Sequence, residues 1–160
     1  MNMKAALFLA AIFSLVLAAH GQEAATLTPL ETIVLPNVQG GFNHMSVDPE
    51  RQRLFASAPT NQSLEILDLR GGRVWRSLSG EKAAAARYAP EFDQLYVTRG
   101  QSAYIYDDKT FDLVGKVDLQ TSVDELHYDA GRKELYVGCM SADAAGIAVV
   151  SIPDGKLLAG

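Results

Sequence analysis

From about Gly41 to the last residue, apolar positions fall into short runs broken by clusters of Asp, Asn, Gly, Pro and Gln. The runs are rich in Val, Ile, Leu, Tyr and Phe, and the breaks carry turn-forming residues, which is the pattern of short strands joined by hairpins. The first four predicted strands are "FNHMSVD", "RLFASA", "SLEILDL" and "RVWRSLS". The next four are "AAARYA", "QLYVTR", "SAYIYD" and "LVGKVDL". A third set runs "VDELHYD", "ELYVGCM", "GIAVVSI" and a curtailed "KLLAG". The middle strands of each set are apolar on successive residues, as expected of sheets covered on both faces. No amphipathic helical spacing appears in this region.

The sets are copies of one unit. "VDPERQRLF" (Val47–Phe55), "YAPEFDQLY" (Tyr88–Tyr96) and "YDAGRKELY" (Tyr128–Tyr136) align without gaps. Four short strands recurring every 40 residues or so are the mark of β-propeller blades, each needing a neighbour to cover its apolar faces. The predicted fold is therefore all-β, a propeller of four-stranded antiparallel blades at about 41–80, 81–120 and 121–160. "LETIVLP" predicts one further, outermost strand over Glu31–Leu35. Closed propellers use about four to eight blades, so three imply an incomplete ring. The expectation is the first part of a longer product. If the chain ends at Gly160, association of half-rings takes its place.

"LYVT" at Leu95–Thr98 and "LYVG" at Leu135–Gly138, each after a polar turn and before an apolar strand, resemble the YVTN-type β-propeller repeats of secreted bacterial proteins. The first unit departs from that core with "LFAS" at Leu54–Ser57. The resemblance implies a propeller fold and an exported protein. It implies no single activity, because propellers carry many unrelated functions.

The N-terminal segment fits export. Lys4 precedes the apolar run Ala5–Ala19, and small residues at Ala19 and Gly21 suit cleavage after Gly21. This is the layout of a signal peptide over residues 1–21, followed by a linker at 22–30. The run falls short of the ~20 residues of a spanning helix, and no second apolar segment of that kind follows. The expected location is periplasmic or extracellular, with no integral membrane segment after processing.

Charge and motifs narrow the chemistry. The formal net charge is −5, one unit more negative once Lys4 is set aside, and basic residues form no cluster. Phosphate neutralisation needs grouped Lys and Arg, so nucleic acid is not an expected partner. Cys139 is the single cysteine, which excludes an internal disulfide and suits a partly buried strand thiol. The chain holds no C-x-x-C-H, no G-x-S-x-G and no D-x-D-x-D-G calcium loop, so no cofactor or metal is expected.

Catalytic-grade side chains gather only on the innermost strands. Alignment of the units places His44, Ala85 and Glu125 at one level, with Ser46, Arg87 and His127 two residues on and on the same face. These residues either line a polar, water-filled channel or form a ligand site there. Loops at the rim add Asn43, Asn61 and Arg99 as candidates for binding a small polar ligand or a protein. The preferred expectation is a non-enzymatic binding or interaction scaffold. The alternative is a propeller enzyme of lactonase or quinoprotein-dehydrogenase type, with a metal or ligand site in the central channel built from His44, Arg87, Glu125 and His127.

Overall fold

A computed structural model describes residues 27–140 and 145–159. The expected signal segment, and most of the linker, lie outside the described residues. The chain divides into two units, Met1–Glu31 and Thr32–Gly160. Of the first, residues 27–31 are described and carry neither helix nor strand.

Among the described residues, the second unit contains twelve strands in three four-stranded antiparallel sheets. The first sheet is β1 (Met45–Asp48), β2 (Arg53–Ala58), β3 (Ser63–Asp68) and β4 (Arg73–Ser79). The second is β5 (Ala83–Ala89), β6 (Gln94–Arg99), β7 (Ser102–Asp107) and β8 (Leu113–Asp118). The third is β9 (Ser122–Asp129), β10 (Glu134–Met140), β11 (Ala145–Ser151) and β12 (Lys156–Ala159). Strands pair in chain order within each sheet, and β1, β5 and β9 are neighbours at the inner edge. This is the blade arrangement of a β-propeller with an open ring. Among the described residues no α-helix occurs; a single 3₁₀ turn spans Pro90–Phe92.

One expectation is corrected. Residues 31–35 form no strand. A strand exists by its ladder partner, and the outer positions of the three sheets are already held by β4, β8 and β12. Instead, Val38 N–H bonds the Leu35 carbonyl at 3.2 Å and closes a turn.

The turns repeat as faithfully as the strands. Gln52, Asp93 and Lys133 occupy equivalent positions with φ of 54°, 50° and 57°. Their left-handed backbone lets each carbonyl accept the N–H that follows the third strand of its own blade, from Leu69, Asp108 and Ile152 at 2.9, 3.0 and 2.9 Å. Left-handed geometry costs a non-glycine residue energy, and a hydrogen bond gained in every blade offsets it.

Blades pack through two apolar layers. Between the first two sheets lie Phe55, Leu64, Ile66, Leu95 and Val97, with Ala83 and Ala86 letting the inner strands approach. Between the second and third lie Tyr96, Ile105, Leu126, Leu135, Val137 and Val150. At about 25 cal/mol per Å² of apolar surface removed from water, these layers are what make one blade hold the next.

A hydroxyl stitches each layer at its inner end. Ser57 Oγ donates to the Ala83 carbonyl of the next blade at 2.5 Å. Thr98, its equivalent one blade on, donates to the Asp124 carbonyl at 2.7 Å and accepts Ala85 N–H at 2.9 Å. Both side chains are fully buried. The last residue of the "LFAS" and "LYVT" cores is thus an inter-blade latch. In the third blade the position is Gly138, which has no hydroxyl to offer.

Candidate functional site

The inner strands bring four of the sequence-derived candidates together. Arg87 on β5 reaches across all three sheets. Its Nη1 donates to the Met45 carbonyl of β1 at 3.2 Å and to the Ala86 carbonyl at 2.8 Å. Its Nη2 donates to Oε1 of Glu125 on β9 at 3.3 Å. Nδ1 of His44 lies 3.4 Å from that same oxygen, and Nε2 of His127 lies 3.5 Å from it. Asp124 joins from the side, with Oδ1 3.7 Å from Nε2 of His44. The strand periodicity explains the meeting: these side chains occupy matching levels of adjacent inner edges.

Three nitrogens converge on one carboxylate oxygen, and one of them belongs to a permanent cation. Arg87 thus pairs with Glu125 Oε1, the same oxygen that both imidazoles face. A divalent metal wants His nitrogens and a carboxylate oxygen around a common centre at about 2.0–2.2 Å. Among the described residues no three His, Cys, Asp or Glu side chains stand at such spacing. The cluster is an inter-blade tie with one open side: His127 is 69% exposed, whereas Arg87 is 18% exposed.

The rim candidates separate. Asn43 lines a cleft of about 410 Å³ with Lys82, Gly100, Ser122, Asp124 and Met140, so all three blades contribute to its wall. The segments leading into β1 and β5, the turn after β6, the first residues of β9 and the last residue of β10 meet here. Asn61 instead turns toward the outer face of the first blade. Its Oδ1 accepts Gln39 N–H at 3.2 Å and its Nδ2 donates to Ser63 Oγ at 2.9 Å. Arg99 is buried beneath the rim, where its guanidinium donates to the carbonyls of Glu81 and Leu78. It ties the β4–β5 connection to its own blade.

A second charged group escaped the sequence reading. Arg53 is 4% exposed and bridges Asp48 and Asp108, with Nη2 at 2.6 and 2.8 Å from their Oδ2 atoms. Arg51 adds bonds to Asp108 at 2.9 Å and Asp93 at 3.0 Å, and to the Tyr88 hydroxyl. Burial alone would raise the Asp48 pKa. Hydrogen bonds from Arg53 and from Arg51 N–H outweigh it and hold the carboxyl below its ordinary value. Lys109 and Arg51 do the same for Asp93. Here the signal was present in the sequence: Arg53 stands where the other blades carry Gln94 and Glu134.

No family model matches the chain. It is similar to the uncharacterized protein YncE of Salmonella typhi, 28% identical over 98 residues, covering 60% of this chain and 28% of that protein. Against YncE of Salmonella typhimurium the identity is 26% over 98 residues. The chain thus spans 28% of the length of these curated relatives. Among solved structures, Kuenenia stuttgartiensis hydrazine synthase superposes with a TM-score of 0.67 at 19% identity, over 82% of this chain and 38% of that one. A chain of the mitotic checkpoint complex gives 0.63 at 16%, over 75% and 40%. Saccharomyces cerevisiae Sqt1 gives 0.61 at 15%, over 72% and 33%. At such identities these likenesses show the propeller fold and nothing finer.

Proposed function

We propose that this protein is an exported, non-catalytic propeller of YVTN type that binds a small polar ligand at the rim of its inner strands. The observation that carries this reading is the cleft of about 410 Å³ to which all three blades contribute. Lys82 and Asp124 give its wall one charge of each sign, and Asn43 and Ser122 add neutral donors and acceptors. A concave site with a few polar groups on a rigid scaffold is what small-molecule recognition requires. The inner cluster beneath it holds Asp124 in place through His44 and fixes the blades that form the wall.

The test is a ligand-observed NMR screen of small polar compounds against the full chain, repeated on the Lys82→Ala/Asp124→Asn variant. Compounds that bind the parent should lose contact with the variant while its melting stays unchanged. Hits that persist in the variant, or a screen without hits, would sink the proposal. Intact mass of the exported preparation checks cleavage after Gly21; a chain retaining residues 1–21 would remove export from the reading.

A further inference from the structure

We propose a second binding site, for a small primary ammonium, on the outer face of the first blade and independent of the rim cleft. Its centre is Glu65, a carboxylate only 2% exposed. Glu65 shares a cross-strand row with Met45, Ala56 and Ser77. The same row in the second blade reads Ala86, Val97, Tyr104 and Lys116, and the third blade places Ala148 opposite Val137. A carboxylate therefore stands where the sister blades use Tyr and Ala.

Its two oxygens differ. Oε1 accepts from Ser63 Oγ, from Ser77 Oγ at 2.9 Å and from Asn61 Nδ2 at 3.5 Å. Among the described residues no hydrogen bond reaches Oε2. The hydroxyls and the amide orient Glu65 while leaving half of it without a donor.

Glu65 opens onto a cavity of about 390 Å³ whose other walls include Val34, Leu35, Pro36, Val38 and Val74. The turn at Leu35–Val38 forms one wall, and the β4 strand forms another. Arg73, the other charged residue in the lining, pairs with Asp68 at 3.6 Å and is 73% exposed. The cavity thus offers one oriented anion, a free acceptor atom and apolar walls. A short alkylammonium matches it: an N–H for Oε2, a positive charge for the carboxylate and a hydrocarbon body for the valines and proline. A charge-assisted bond of this kind is stronger than a neutral one.

The experiment titrates n-butylammonium chloride into the labelled full chain and follows the Val38, Val74 and Ser77 amides by NMR. Saturation is expected with a dissociation constant on the order of 1 mM, as suits so small a ligand. Tetramethylammonium, which carries the charge without an N–H, should bind at least about tenfold more weakly. Glu65→Gln should weaken butylammonium by about tenfold or more. Val74→Phe, which keeps Glu65 and its hydrogen bonds but fills the cavity, should abolish binding, and it serves alone if the Gln variant fails to fold. Absence of saturation, equal binding of the two cations, or binding unaltered in Val74→Phe would overturn the assignment. Because none of these readouts involves Lys82 or Asp124, the rim cleft stands or falls separately.

Discussion

The two inter-blade junctions share one plan and differ at one end. Both have an apolar layer, and both have a buried hydroxyl latch, Ser57 in the first and Thr98 in the second. At the opposite end the first junction buries Arg53 between Asp48 and Asp108. The second carries Gln94 and Ile152 at the positions of Arg53 and Asp108, with Ile152 4% exposed inside the apolar layer. Gln94 there only accepts from the Tyr96 hydroxyl of its own blade. The difference teaches that a buried ion pair is not needed at this end of a junction; the ionic contact of the second junction sits instead at the inner strands, where Arg87 meets Glu125 at 3.3 Å. The backbone plan is common, and the charged end of the first junction fixes which residues meet.

Removing the cation is the strongest way to break the comparison. Arg53→Met leaves Asp48 and Asp108 buried with Arg51 as the cation remaining beside them and should cost up to about 3–5 kcal/mol. Gln94→Met at the equivalent position should cost only about 1 kcal/mol, the worth of one hydrogen bond. Urea denaturation of the two variants measures both, and equal losses would dissolve the distinction.

The latch comes next. Thr98→Val keeps the shape but strips Ala85 N–H and the Asp124 carbonyl of a partner, for an expected loss of about 1–3 kcal/mol. An unchanged denaturation midpoint would show that the hydroxyl bridges nothing of consequence.

Acid sharpens the comparison with the smallest effect. Asp48 and Asp93 are held below their ordinary pKa in the folded chain. Their contribution is fully present above the unfolded value and is lost as pH falls through the folded one, so stability should drop below about pH 4. Asp68, Asp107 and Asp129 are also held low, chiefly by N–H groups of their turns, and titrate whether or not the junction is intact. Asp93→Asn should therefore flatten the acid limb without removing it. An identical limb in both chains, followed by the urea midpoint between neutral and acid pH, would mean that the junction does not contribute.

Several details were legible before the structure because they recur. Strands, turns and the aligned inner residues repeat in register, and repetition turns a weak local signal into a strong one. The convergence of His44, Arg87, Glu125 and His127 followed from strand periodicity on matching levels. Glu31–Leu35 misled because strand propensity is a property of a segment, whereas a strand needs a partner. Arg99 and Asn61 looked like ligand residues because polar rim residues and polar anchors have the same composition. Arg99's carbonyl partners and the Gln39 N–H that Asn61 accepts lie 18 to 22 residues away in sequence, which no local pattern reveals.

The sequence by itself determined the unit and its repetition: four strands, their turns, an apolar face on each side, and hydroxyls at Ser57 and Thr98. That information is local, since period and turn chemistry act over a few residues. The tertiary structure decided which charges meet. Whether Arg53 finds Asp108 and whether Glu125 is claimed by Arg87 depend on how one sheet lies on the next. Electrostatic pairing acts over a few ångströms in space, and that distance is set only when the blades have stacked.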